Sequence, residues 1–406
     1  MRITVDSTDF AESLAAVGSA LKALDWKGTC LLTADKHHVV VEASAGRGYF
    51  RRKLLSATVE EVGEVTISTE QVYTFPAPQT TLSCSDGNKI DYTSGRMRGY
   101  FLAHKDPEPV ERIDKEIKEG LVVSTPMLHQ MIRTILFEPS TPEIPMSLRL
   151  LTKKSTRTVK AVVFDAYRAA VFEQTFTDSS KKKRKHEEHK DKDKLSKDKR
   201  RTTAVPEHKD FYVDVLDDVD YSFPASLVNA IYGLFDGNIH IGTSSKLAYF
   251  ADQRSVLYHP YSSTDESSSV KVLLKKLSQT KPLLVAQLDP AVAQQTIAPA
   301  CSVISRKDGM LTLTPNVTKK TMVVKVADDF GGRAAYDFDL IKIKARKEFS
   351  FSVAYGYLME FLAQISWYVT PDEDGTTAGV LLRVWPNCLA VSVPHAIYIM
   401  PLKSKT

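Results

Sequence analysis

The sequence predicts an α+β fold of three similar domains, each made of two β-α-β-β-β repeats, and three observations carry that prediction. Six times along the 406 residues a short β-like run leads into one amphipathic helical stretch. The helix starts recur near positions 8, 69, 126, 224, 290 and 353, at intervals of about 60 apart from one longer gap. Between them lie alternating runs such as HHVVVEAS, KIDYTS, KLAYFAD and TMVVKVAD, separated by Asp, Asn and Gly, the pattern of antiparallel meanders.

The first helix follows RITV, with Ser7 or Thr8 as cap, and sets Phe10, Leu14, Val17, Leu21 and Leu24 on one face. The second is short, after EVTI, with Ser68 as cap and Val72, Tyr73 and Phe75 inside. The third is capped by Thr125 and opens on Pro126, whose missing N–H costs nothing at the first helical position; Leu128, Met131, Ile132 and Ile135 form its apolar face. The fourth opens at Pro224 and shows Leu227, Val228, Ile231 and Leu234. Asp289 caps the fifth, with Val292 and Ile297 inside. The sixth follows EFSFS and carries Val353, Tyr357, Leu358, Phe361 and Leu362.

One helix over a four-stranded sheet covers a single sheet face, so repeats are expected to pair into domains of ordinary size. The expected domains are 1–120, 121–280 and 281–406, the second carrying a disordered basic insert at 180–203. Within that insert, residues 181–201 hold 12 Lys and Arg against 5 Asp and Glu, with one Leu as the sole sizeable apolar side chain. Such a stretch cannot bury enough surface to offset its ordering entropy. The chain's net charge of +5 therefore hides a mildly acidic folded part, at −2 once this segment is set aside. The edges left by three like domains invite head-to-tail pairing with a second copy, which makes a ring if the geometry closes; a three-domain monomer with blunted edges is the alternative.

Composition narrows the function classes. With 43% hydrophobic and 25% charged residues the chain is globular, and no apolar run reaches the roughly 20 residues of a membrane span. The start, MRITVDSTDF, lacks the layout of a secretory signal, and Cys30, Cys84, Cys301 and Cys388 form no CxxC pair, so a reduced, cytoplasmic setting is expected. Nucleotide-binding, hydrolase and zinc-protease signatures are missing. Asp372-Glu373-Asp374-Gly375 lacks the spacing of an EF-hand and reads as a hairpin turn. No catalytic residue, metal ligand or cofactor site is assigned.

Short landmarks then point to a family. RITVDSTDFAESLAAVGSALKAL (2–24) has a strand followed by a long helix; TSGRMRGYF (93–101) is similar to an SGR-x-R-aromatic strand. VVFDAYRAAV (162–171) resembles an ATDGHRLA strand, VDYSFPASLVNAIYGLF (219–235) a VPRKAL-type helix, and YIMPL (398–402) a closing VMPMRL. Standing in this order along the whole chain, they resemble the bacterial DNA polymerase III β-subunit family, the replicative sliding clamps, whose fold also appears in phage replisomes.

The resemblance implies a non-enzymatic processivity factor. Two copies would join head to tail as a homodimer, helices lining a hole that encircles double-stranded DNA and sheets outside, serving a replicative DNA polymerase and a clamp loader. It implies a partner-peptide pocket walled by Phe164, Ala166, Tyr167, Arg168 and Ala169 and by Tyr398, Ile399, Met400, Pro401 and Leu402. Ala166, Tyr167 and Ala169 stand where the family has Gly, His and Leu, so the pocket's depth and polarity are expected to differ. Lys22, Lys27 and Arg133 are the candidate DNA-facing groups on helices, and Arg96 and Arg98 on a strand. Two alternatives stay open: a β-rich interaction or structural protein that does not encircle DNA, and a nucleic-acid binder acting through the basic loop.

Overall fold

A computed structural model describes residues 1–45, 48–71, 73–85, 87–104, 117–136, 147–165, 168–176, 212–244, 247–260, 268–301, 309–327, 333–345, 349–366 and 379–402. The basic loop 181–201 and the hairpin expected at 372–375 lie outside the described residues. The chain folds as two compact units: Met1–His129 with Leu151–Val159 and Thr175–Ser262, and Gln130–Leu150 with Lys160–Gln174 and Ser263–Thr406.

The repeats are visible in the element order. The first runs through strand Arg2–Asp6, helix α1 (Ser7–Ala23) and strands Thr29–Ala34, Val39–Ala45 and Gly48–Lys53. The third pairs strand Lys118–Ser124 with helix α2 (Thr125–Ile135) and strands Ser147–Lys153, Thr158–Phe164 and Ala169–Thr175. In the fourth, strand Asp220–Pro224 leads to helix α3 (Ala225–Leu234) and strands Asn238–Ser244, Leu247–Ala251 and Ser255–Pro260. Helix α4 (Ser268–Gln279) comes next and belongs to no repeat. The fifth holds strand Leu284–Leu288, helix α5 (Pro290–Cys301) and strands Met310–Asn316, Thr321–Ala327 and Arg333–Asp339. The sixth ends the chain with Phe351–Ala354, helix α6 (Tyr355–Ser366), Val380–Val384, Cys388–Val393 and Ala396–Pro401.

The second repeat departs from expectation. Strand Gly63–Ser68 is followed directly by Gln79–Ser83, Lys89–Ser94 and Met97–Leu102, and no helix forms among the described residues between them. Pro76 and Pro78 bias their predecessors away from α geometry. The segment is instead tied down as a loop. Thr69 donates its N–H and its hydroxyl to the Gly28 carbonyl (2.7 and 3.0 Å), and the Tyr73 hydroxyl donates to the Ser68 carbonyl at 2.8 Å. Tyr73 meets Phe10 and Phe101 edge-on, with centroids 5.8 and 5.0 Å apart, so the apolar residues expected on a helix plug the core as an aromatic cluster. Val72 lies outside the described residues.

Strand exchange locks neighbouring repeats together. In the first unit Arg2–Asp6 of repeat one sits beside Gln79–Ser83 of repeat two, while Gly63–Ser68 of repeat two pairs with Thr29–Ala34 of repeat one. In the second unit Leu284–Leu288 joins Val380–Val384 and Phe351–Ala354 joins Met310–Asn316. A repeat deprived of its neighbour would therefore lose a strand from each sheet, leaving unpaired backbone groups.

Most of the expected apolar faces are buried. Phe10, Leu14, Val17 and Leu21 on α1, Leu128, Met131, Ile132 and Ile135 on α2, and Leu358, Phe361 and Leu362 on α6 are all at most 5% exposed. Each such side chain contributes about 1.5–3 kcal/mol by leaving water. Four details differ. The cap of α1 is Asp6, whose carboxylate accepts from Asp9 N–H at 2.8 Å. The Thr125 hydroxyl donates to the Gly237 carbonyl at 2.9 Å instead of receiving from its helix. On α5, Asp289 does cap, accepting from Ala291 N–H at 2.8 Å, but Val292 points to solvent and Ala293 takes the buried place. Val353 belongs to a strand, and Tyr357 lies half-buried against an arginine.

Candidate partner pocket and nucleic-acid interface

Two segments far apart in sequence, 164–169 and 398–402, meet in the second unit because their strands are neighbours. Ala169–Thr175 pairs antiparallel with Ala396–Pro401, setting Ala169 opposite Ile399, Ala170 opposite Tyr398 and Phe172 opposite Ala396. The landmark loop and the chain's end are thus joined by backbone hydrogen bonds, and side chains on alternate residues divide between the two sheet faces.

Arg168 organises the loop end of this pair. Its side chain is 2% exposed, and its guanidinium bonds the Asp165 carboxylate (Nε to Oδ2, 3.3 Å) and the Glu360 carboxylate on α6 (Nη1 to Oε2, 2.6 Å). It also lies over the Tyr357 ring at 4.1 Å. The Asp165 side chain, at 0% exposure, additionally accepts from Arg168 N–H at 2.7 Å, and the Asp165 N–H donates to the Arg168 carbonyl at 3.0 Å, closing a tight loop. A cation out of water is tolerable because two carboxylates and a ring face surround it. Asp165 and Glu360 are not among the expected pocket residues, and Tyr357 is expected only as an apolar position of the sixth helix. The i, i+3 spacing of Asp165 and Arg168 is the available signal for the first, whereas nothing local marks Glu360.

The other expected pocket residues divide by depth. Phe164 and Ala169 are buried, and Tyr398, Ile399 and Met400 are at 0–2% exposure. Tyr398 packs against Phe361 with centroids 4.7 Å apart and the rings tilted by 40°, and donates its hydroxyl to the Thr134 carbonyl. These three tail residues are buried in the second unit. Pro401 is exposed and Leu402 half-buried, its N–H held by the Asn387 carbonyl at 3.0 Å. Ala166 and Tyr167 lie outside the described residues.

The candidate DNA-facing cations are all solvent-exposed. Lys22 stands in the last turn of α1, with Lys27 just beyond it, and Arg133 in the last turn of α2, where a cation complements the helix dipole. Arg96 occupies the turn between Lys89–Ser94 and Met97–Leu102, and Arg98 lies on the second of these strands. That strand closes one edge of a five-stranded sheet. It exposes Tyr100 and Leu102 (64% and 68%), while Phe101 turns in against Tyr73 and Tyr92. In the second unit Arg333–Asp339 closes the edge of a four-stranded sheet and exposes Tyr336, Asp337 and Asp339.

Solved structures share this architecture from end to end. A DNA polymerase III β subunit from Thermotoga maritima is similar over 100% of both chains, with a TM-score of 0.76 at 9% identity. The chain has the sliding-clamp fold. A DNA polymerase sliding clamp from Bacillus subtilis (TM-score 0.73, 11% identity) and the pol III β of Caulobacter crescentus (0.73, 15%) are likewise covered along their full lengths. No protein-family model and no curated protein sequence matches this chain. The fold is thus shared at 9–15% identity.

Among the described residues no helix is long and apolar enough to cross a membrane.

Proposed function

We propose that this chain is a DNA sliding clamp: a replicative processivity factor, two copies of which close head to tail around duplex DNA. The supporting observation is the likeness to clamps over the whole chain, joined with two exposed sheet edges of opposite character. One edge carries Arg96 and Arg98 beside Tyr100 and Leu102, and the other carries Asp337 and Asp339 beside Tyr336, with Arg333 at its far end. Pairing them between copies would satisfy the free backbone groups of both edges and set unlike charges together. Three clamp domains per chain, bounded near 120 and 280, fit a ring of two.

Retention on DNA then needs topology rather than affinity. Each phosphate contact adds salt-dependent binding and slows sliding, so a sparse set of cations such as Lys22, Lys27 and Arg133 suits the task. A polymerase and a clamp loader would dock by a short apolar peptide beside the Arg168 loop, with Pro401 and Leu402 as the accessible tail residues. No bond is made or broken in this role, and its place is the cytoplasm, where the DNA is.

Sedimentation of the full chain tests assembly: a mass about twice 45.2 kDa is expected, falling to one chain in the Tyr100→Glu, Leu102→Glu variant. Encirclement is tested by cross-linking the ring shut on a nicked plasmid. Protein should stay on the circle in high salt and leave after linearisation; equal retention on both forms would sink the clamp and favour the basic-loop binder.

A further inference from the structure

Helix α4 has no counterpart among the repeats, yet it is fastened to one face of the second unit's sheet. Leu273 and Leu277 pack on a cluster of Trp385, Cys388, Ala390 and Ile399. The Trp385 indole N–H donates to the Thr280 carbonyl at 3.1 Å, pinning the segment that leaves the helix. The opposite side of α4 presents Val272, Lys275 and Lys276, spaced i, i+3, i+4 and all exposed, Val272 at 64%.

The sheet beside α4 is basic on that same face. Cross-strand partners share a face, and Lys344 stands opposite Val285, Val285 opposite Arg383, Arg383 opposite Ala390 and Ala390 opposite Ile399. Ala390 and Ile399 lie beneath α4, so Arg383 is one strand, about 5 Å, from the covered cluster and Lys344 two strands further. Lys342 continues the row below, opposite Gln287. The two rows from Lys342 and Lys344 to Val171 and Ala169 hold no acidic residue. Burial raises the Cys388 thiol while the Lys276 charge lowers it, which sets that cation close to the Cys388 end of the face.

Five cations therefore share one exterior face, and among the described residues none has a carboxylate partner. Arg383 bonds only a hydroxyl, that of Ser392, at 3.0 Å. Unneutralised like charge costs stability through self-repulsion, which an anionic partner would relieve. We propose that this face, α4 with the adjoining strands, docks an acidic protein segment bearing an apolar side chain. Val272 favours polypeptide: it offers an exposed apolar contact beside two lysines that a phosphate backbone would not use, and single-strand stacking would need an exposed aromatic ring whereas Trp385 is 8% exposed. The surface does not depend on the clamp reading.

The probe is a fluorescein-labelled peptide of four Glu-Glu-Leu repeats, titrated into the full chain and followed by anisotropy. Binding that weakens with salt is expected. Lys275→Glu with Lys276→Glu, or Lys342→Glu with Lys344→Glu, should each weaken it about tenfold, and Val272→Ser about threefold. All these positions are exposed, and unchanged melting curves would confirm folding; Lys→Gln versions of the same pairs give a second, milder test. Neutralising Lys181, Lys182, Lys183, Arg184 and Lys185 to Gln separates the basic loop. Loss of binding on that change alone, equal affinity in the charge-reversed variants, or tighter binding of a labelled single-stranded or duplex oligonucleotide to this face would each overturn the proposal.

Discussion

Two arginines are almost equally buried, Arg52 in the first unit at 5% exposure and Arg168 in the second at 4%, and the protein accommodates them by opposite means. Arg52 is met mainly by neutral acceptors. Its Nη1 donates to the Leu234 carbonyl at the end of α3 (2.6 Å) and to the Ser255 hydroxyl (3.1 Å), and its nearest carboxylate, Asp236 at 3.7 Å, is 73% exposed. Burial, and then the neighbouring Arg254 cation, hold Arg52 below its ordinary range. Arg168 is met by formal anions, one of them wholly buried. A helix's last carbonyls carry only a fractional negative charge, so Arg52 is a cation the fold endures, whereas Arg168 is half of a mutual dependence.

The largest expected effect follows from that contrast. Arg168→Met leaves Asp165 buried without its cation and should cost about 3–5 kcal/mol in urea unfolding. Adding Asp165→Asn should recover about 1–3 kcal/mol of this, as coupled neighbours do; strict additivity would show the pair to be independent. Arg52→Met strands neutral acceptors and one carboxylate that water already reaches, and should cost less, about 1–3 kcal/mol. An Arg52 variant as damaging as the Arg168 one would erase the distinction. The partner-peptide docking proposed above sharpens the same point: Arg168→Met should abolish it through the loop that Arg168 positions, while Arg52→Met should leave it intact.

The smallest effect concerns pH. Burial lowers the His259 pKa below 6.5, partly opposed by its hydrogen bond to the Pro260 carbonyl (2.7 Å). The unfolded chain then binds the proton more readily than the folded one. Stability from this group is complete above pH 6.5 and declines as pH falls from 6.5 through the folded value. His259→Gln should flatten that part of the stability–pH curve in the first unit; an unchanged slope would assign it to other groups.

How much of this could be read beforehand varied with locality. Five of six helices were legible because their apolar spacing and start signals are local, as in Phe10-Leu14-Val17-Leu21 or Asp289-Pro290. The second helix failed because its aromatic residues at helix-like spacing are equally good plugs when Pro76 and Pro78 divert the backbone. Helix α4 is not legible from the repeat because it stands outside it. Segments 164–169 and 398–402 stand out by resemblance alone, and the structure shows that the strands holding them pair. The depth of Tyr398 and Met400 was not legible, because which face of a terminal strand is covered depends on α6, which lies more than thirty residues away in sequence.

By itself the sequence determined the repeat, its period, the strand and helix types and the isolation of positive charge in one segment, since each rests on neighbours within a few turns. Only the tertiary structure decided which strands are exchanged between repeats, what surrounds Arg168 and which lysines share a face with α4. Those outcomes come from contacts between residues distant along the chain, where burial and charge compensation are set by the partner that arrives.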